Sequence, residues 1–137
     1  MRKQYHFRPG PAGVLAWDVD RLIELSKGFA CFDVSLSAIR ELDEPFWFAG
    51  GSEAATPRAI LEHVRLINGA ELTFPIILSA EGRVMDGMHR VARAALLGHA
   101  TVRAVQFPIT PEPDFVGLGP DDLPDGEPEG PERGSPP

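Results

Sequence analysis

Asp86-Gly87-Met88-His89-Arg90-Val91-Ala92-Arg93-Ala94-Ala95-Leu96-Leu97-Gly98 reads as the tip of a strand, a tight turn and a helix, and that order decides the fold. At 100° per residue, Met88, Val91, Ala92, Ala95 and Leu96 share one broad apolar face. His89, Arg90 and Arg93 fall on another sector, about 100° wide. The helix begins at Asp86 or Gly87 and stops at Gly98. A helix start leaves backbone N–H groups unpaired and carries a partial positive charge, so it is a natural seat for an anion. An imidazole and a guanidinium at that end favour a phosphate, which Arg grips as a bidentate fork and His meets with a pH-dependent donor. Gly87, having no Cβ, lets a ligand come close to the backbone.

Several residues of this stretch have ordinary readings as well. Asp86 suits an N-cap as much as a catalytic base or a ligand for Mg²⁺. Arg93 suits a solvated helix position, and His89 with Arg90 suits pairing with tail acids or with Glu81.

Two further helices are written outward from this point. Asp18 caps one in which Val19, Leu22 and Ile23 share a face, with Trp17 before the cap and Leu22 at N4 as a hydrophobic staple. Thr56-Pro57 opens another with a cap and a proline at N1. Its apolar positions are Ile60, Val64 and Ile67, and Gly69 is the stop. His63 falls outside that stripe and reads as a surface residue.

Strand signals lie between the helices. Phe32 to Ser37 alternates with period two. Pro75 to Leu78 and Val84-Met85 flank a turn in which Gly82 takes the position needing positive φ. Thr101 to Phe107 is the last strand. Phe46-Trp47-Phe48 lies in an aromatic loop that reads as core or lid, with base stacking as the alternative. His6 lies in a segment too short to interpret, and Arg58 and Arg65 read as solvated or as an extension of the basic site.

These elements predict an α+β fold with a small mixed β-sheet packed against helices. Residues 1–29 read as an N-terminal helical extension, 30–107 as the domain and 108–137 as a disordered acidic tail. That tail holds nine of the fourteen prolines and eight acids against one base, whereas residues 1–107 carry twelve of each. The net charge of −7 therefore belongs to the tail, which reads as a solubiliser or as an arm that mimics an anionic ligand. A neutral body argues against strong nonspecific duplex binding. The single cysteine, Cys31, gives no internal disulfide and no metal cluster. No apolar run is long enough for a bilayer and no signal peptide is evident, so the expected compartment is the cytoplasm, with no membrane partner.

The run Phe74 to Gly98, followed by Val102 to Phe107, resembles the ParB/sulfiredoxin-like superfamily, also described as ParB-like nuclease domains. Phe32 to Ile39 is similar to that family's first strand, and the helix at 57–68 to its next element. The resemblance covers residues 30–107 and is most specific from Asp86 to Gly98. It implies a nucleotide-phosphate site at the helix start. The corresponding turn is Gly-Glu-Arg-Arg in ParB-type partition proteins, where it helps hold CTP, and Gly-Cys-His-Arg in sulfiredoxins, where it holds ATP phosphates. Gly87, His89 and Arg90 match the sulfiredoxin turn. Met88 stands at the reactive cysteine's position and cannot form a thiolate, which excludes that redox activity there.

The resemblance thus implies phosphate contacts from Gly87, Met88, His89, Arg90 and Arg93, with CTP or ATP as ligand. Asp86 and His89 are then the catalytic candidates for hydrolysis or phosphoryl transfer, with Mg²⁺ at Asp86. The chain after Phe107 has no room for the DNA reader and dimerising end of partition proteins. A nuclease lacks an evident third carboxylate. A nucleic-acid-binding or nuclease module of a partition system, and a non-catalytic interaction domain, stand as alternatives. Oligomeric state is not legible.

Overall fold

Gly87, at φ +103°, breaks strand from helix. A computed structural model of the protein describes residues 3–49 and 53–124. The described residues divide into two units, one within 28–110 and the other formed by residues 3–27 together with 111–124.

In the 28–110 unit, strands β3 (Phe32–Ser35), β4 (Ile76–Leu78), β5 (Val84–Asp86) and β6 (Thr101–Gln106) form a mixed sheet in the order β3-β6-β4-β5. β6 runs antiparallel to β3, with Phe32 opposite Ala104, and parallel to β4, with Ile76 opposite Ala104. β4 and β5 form the expected hairpin, with a register shift between Ile77 and Leu78. Its turn is held by Ser79: the Ser79 N–H donates to Arg83 O at 2.8 Å, and Ser79 O accepts from Gly82 N–H at 2.9 Å. Gly82 has the positive φ the turn demands, +83°.

Helix α2 (Pro57–Asn68) opens as its sequence indicates, with Thr56 Oγ1 accepting from Ala59 N–H at 3.1 Å and Gly69 closing it. Helix α3 (Met88–Leu96) follows Gly87, which is the N-cap. Asp86 is therefore the last residue of β5 and not a cap. The buried positions of α3 are Met88, Val91 and Ala94, whereas Ala95 and Leu96 of the expected face are exposed. Met88, Val91 and Ala94 pack with Ile39, Ile76, Leu78, Val84, Val102 and Ala104 into the core, against which Phe46 and Trp47 are partly buried. The aromatic loop is thus attached to the core.

The other unit corrects the expectation of a helical extension and a tail beginning at residue 108. Before α1 (Val19–Leu25) the chain forms a hairpin of β1 (Tyr5–Arg8) and β2 (Leu15–Asp18), and β7 (Phe115–Val116) adds to the free edge of β2. Residues 111–124 are held by polar anchors along with a few apolar contacts, Leu123 being buried and Phe115 lying edge-on to Tyr5 at 6.1 Å, so composition hides them. The Trp17 indole N–H donates to Pro111 O at 2.8 Å, and the Tyr5 hydroxyl to Pro124 O at 2.6 Å. Asp114 accepts from Asp18 N–H at 2.8 Å and pairs with Arg21 at 3.1 Å. Residues 125–137, the remainder of the expected tail, lie outside the described residues. Asp18 caps α1 by accepting from Asp20 N–H at 2.9 Å, and both members of the staple, Trp17 and Leu22, are buried, but Ile23 is exposed. Among the described residues the fold is α+β with two sheets and three α-helices, in place of the single sheet expected. No helix among the described residues is long and apolar enough to cross a membrane.

Candidate functional site at the head of α3

The β5–α3 junction brings Asp86 and Arg90 into contact, with His89 next to Arg90 in sequence, and it is not a bare cationic cradle. Arg90 Nη2 donates to Asp86 Oδ2 at 3.1 Å and to Pro75 O at 3.3 Å, and Arg90 Nε is buried without a partner. The two side chains of this i,i+4 pair are 20% and 18% exposed. Arg90 is therefore held against the end of β5 and the residue before β4 and not projected outward, and Asp86 is paired with an arginine. Among the described residues no group of three or more His, Cys, Asp or Glu is placed to hold a metal ion. The space above Gly87 is also occupied, since a Cβ there would lie 2.8 Å from both Arg90 Nη2 and Ile76 Cγ2. Gly87 is needed for the packing of Arg90 and for its φ, rather than for the approach of a ligand.

Arg93 leaves the expected phosphate cluster altogether. Its Nη1 donates to Asn68 O at 2.9 Å, placing a cation on the carbonyl end of α2. At the opening turn of α3 the Arg90 N–H closes a tight bond to Gly87 O at 2.9 Å. The N–H groups of Met88 and His89, the first two of the helix, have no intrahelical acceptor.

The principal surprise is His63. It is not a surface residue but the partner of His89: His63 Nδ1 lies 2.9 Å from His89 Nε2, and His63 Nε2 lies 3.2 Å from Glu53 Oε1. Only 14% of the His63 side chain is exposed. Trp47 stacks on both imidazoles, with centroids 4.4 Å and 4.7 Å away and planes within 19° and 15° of its own. The imidazole centroids are 5.1 Å apart. On opposite faces of the indole they would be nearly twice as distant, so they lie edge to edge beneath one face. Phe48 meets His63 edge-on at 5.6 Å. That face of Trp47 is thus taken by histidines and is not open for a base.

Hydrogen-bond bookkeeping assigns the tautomers. A carboxylate only accepts, so His63 Nε2 carries the proton given to Glu53, and His63 Nδ1 is left as an acceptor. His89 Nε2 must then be the donor to it. The remaining lone pair of the cluster is on His89 Nδ1, which meets no hydrogen-bonding partner among the described residues and is not among the sealed polar atoms. Burial, then His63, then the charge of Arg90 hold the His89 imidazole below its usual range, so the neutral form prevails at pH 7.

One sequence signal points to His63. On a helical wheel it stands about 60° from Ile60 and about 40° from Ile67, on the border of the apolar stripe rather than opposite it. No protein-family model, no curated protein and no solved structure matches this chain.

Proposed function

We propose that the head of α3 binds the phosphate of a nucleotide, CTP or ATP, in a domain of ParB/sulfiredoxin-like type. The observation that supports this most is the first turn of α3, where the N–H groups of Met88 and His89 lack intrahelical acceptors and the His89 and Arg90 side chains leave from adjacent positions. In the structure Asp86 serves Arg90 as the anion. A phosphate meets Arg90 beside Asp86, through the guanidinium donors that the pair leaves over, Nε among them. Mg²⁺, in this reading, enters chelated by the nucleotide. His89, neutral and partly buried, adds a donor or acceptor beside the phosphate, whereas Arg93 does not contribute.

Isothermal titration of the full chain with CTP, ATP, ADP and inorganic phosphate, with and without Mg²⁺, tests the reading. Binding that weakens about 10-fold or more in Arg90→Ala, in line with the loss of a charged hydrogen bond, supports it. Absence of heat for every ligand, with protein shown to be folded, overturns it. A steep salt dependence of duplex DNA binding in place of nucleotide binding would favour the nucleic-acid module instead.

A further inference from the structure

We propose that Glu53, His63 and His89 form a proton relay ending at His89 Nδ1, and that His89 is the general base for hydrolysis of the bound nucleotide. The inference rests on the nucleotide-binding reading and adds to it a reaction. Its basis is the linear order of contacts, Glu53 Oε1 to His63 Nε2 at 3.2 Å and His63 Nδ1 to His89 Nε2 at 2.9 Å. Each contact fixes the next tautomer, so that the lone pair left over is on the residue at the helix head. A base oriented by a second group, itself held by a carboxylate, is the arrangement that activates weak nucleophiles. Trp47, flat against both rings, holds their planes within 24° of each other and covers one side of the hydrogen bond between them.

In the reaction, His89 Nδ1 takes a proton from water as the water oxygen bonds to the terminal phosphorus. The bond from that phosphorus to the bridging oxygen breaks, and its electron pair leaves on the nucleoside diphosphate. The positive charge arising on His89 is relieved as its Nε2 proton shifts toward His63 Nδ1, while His63 Nε2–H stays on the Glu53 carboxylate. Nucleoside triphosphate and water become nucleoside diphosphate, phosphate and a proton, with no other reactant. His89 is the catalytic residue, and His63 and Glu53 position it. The charged groups facing His89 are Arg90 on its own helix and His63 from α2, the latter backed by Glu53. Arg90 opposes protonation, and the carboxylate favours it through His63.

The test is phosphate release from CTP and ATP with Mg²⁺ by the full chain, its Glu53→Gln variant and its His63→Phe variant, which keeps an aromatic ring under Trp47. The expected result is a kcat lowered about 100-fold in His63→Phe, with nucleotide affinity within about twofold of the parent. The parent's rate should fall at acidic pH, with the acid limb displaced to lower pH in Glu53→Gln. Nitrogen NMR of the parent should show His63 and His89 both carrying the proton on Nε2. Nucleotide bound but not hydrolysed, a kcat unchanged in His63→Phe, or a proton on His89 Nδ1 at neutral pH each overturns the relay and leaves binding standing. No nucleotide bound at all overturns binding and relay together.

Discussion

Asp86 and Arg90 face each other across the first turn of α3 at 3.1 Å, and each is about four-fifths buried. The pair joins the end of β5 to the helix that follows it, and Arg90 also reaches Pro75 O. Removing the arginine strands a carboxylate that has little water to fall back on. Arg90→Ala should cost about 2–3 kcal/mol in urea unfolding. Asp86→Ala on its own leaves the guanidinium one acceptor short. A double-mutant cycle over the two substitutions should return about 1 kcal/mol or more of coupling.

Gly87 and Gly82 both have positive φ, but only Gly87 is crowded. Gly82→Ala meets nothing within 4 Å and should lose only the backbone strain, about 1 kcal/mol. Gly87→Ala adds a methyl 2.8 Å from Ile76 Cγ2, and Ile76 is fully buried. Its thermal midpoint should drop well below that of Gly82→Ala, with a loss of about 3 kcal/mol or more.

His89 has a folded pKa below its ordinary value of 6.5. The unfolded chain therefore binds the proton first as pH falls. The associated stability is complete above about pH 6.5 and is lost progressively down to the folded value, below which both states are protonated. Unfolding midpoints measured from pH 7.5 to pH 5 should decline over that window, and His89→Gln should flatten this part of the curve.

Asp114 accepts from Asp18 N–H and from Arg21, so it ties the third strand of the small sheet to the start of α1. Asp114→Ala should cost about 1–3 kcal/mol in the cooperative loss of that unit, seen as faster hydrogen exchange in β2 and β7. Truncation after Thr110 should have a larger effect, because it also removes the acceptor of the Trp17 indole.

Much of the architecture is readable locally because local chemistry determines it. Thr56-Pro57 and Gly69 mark both ends of α2, Asp18 caps α1, and the Ser79–Arg83 turn declares its hairpin. Features closed over long sequence distances are not. Tyr5–Arg8 is a short polar segment running into Pro9-Gly10-Pro11, and only pairing with Leu15–Asp18 makes it a strand. Phe115-Val116 gains strand geometry from a partner some hundred residues earlier. At the site, Asp86 and Arg90 pair because they lie one helical turn apart, whereas His89 turns to His63. Arg93 departs because the end of α2 offers it a carbonyl, and no helical wheel includes a neighbouring helix. His63 and Glu53 are not legible in the sequence because their meaning depends on His89, which lies 26 residues beyond His63.

The order in which β1, β2 and β7 come together has a consequence during synthesis. Residues 28–110 are contiguous, so that unit has every strand it needs before residue 111 leaves the ribosome. The smaller sheet has its third strand at 115–116 and must wait for it with one edge of β2 bare. Maturation therefore does not follow the order of the gene: the inserted segment matures first, and the segment that precedes it is completed last.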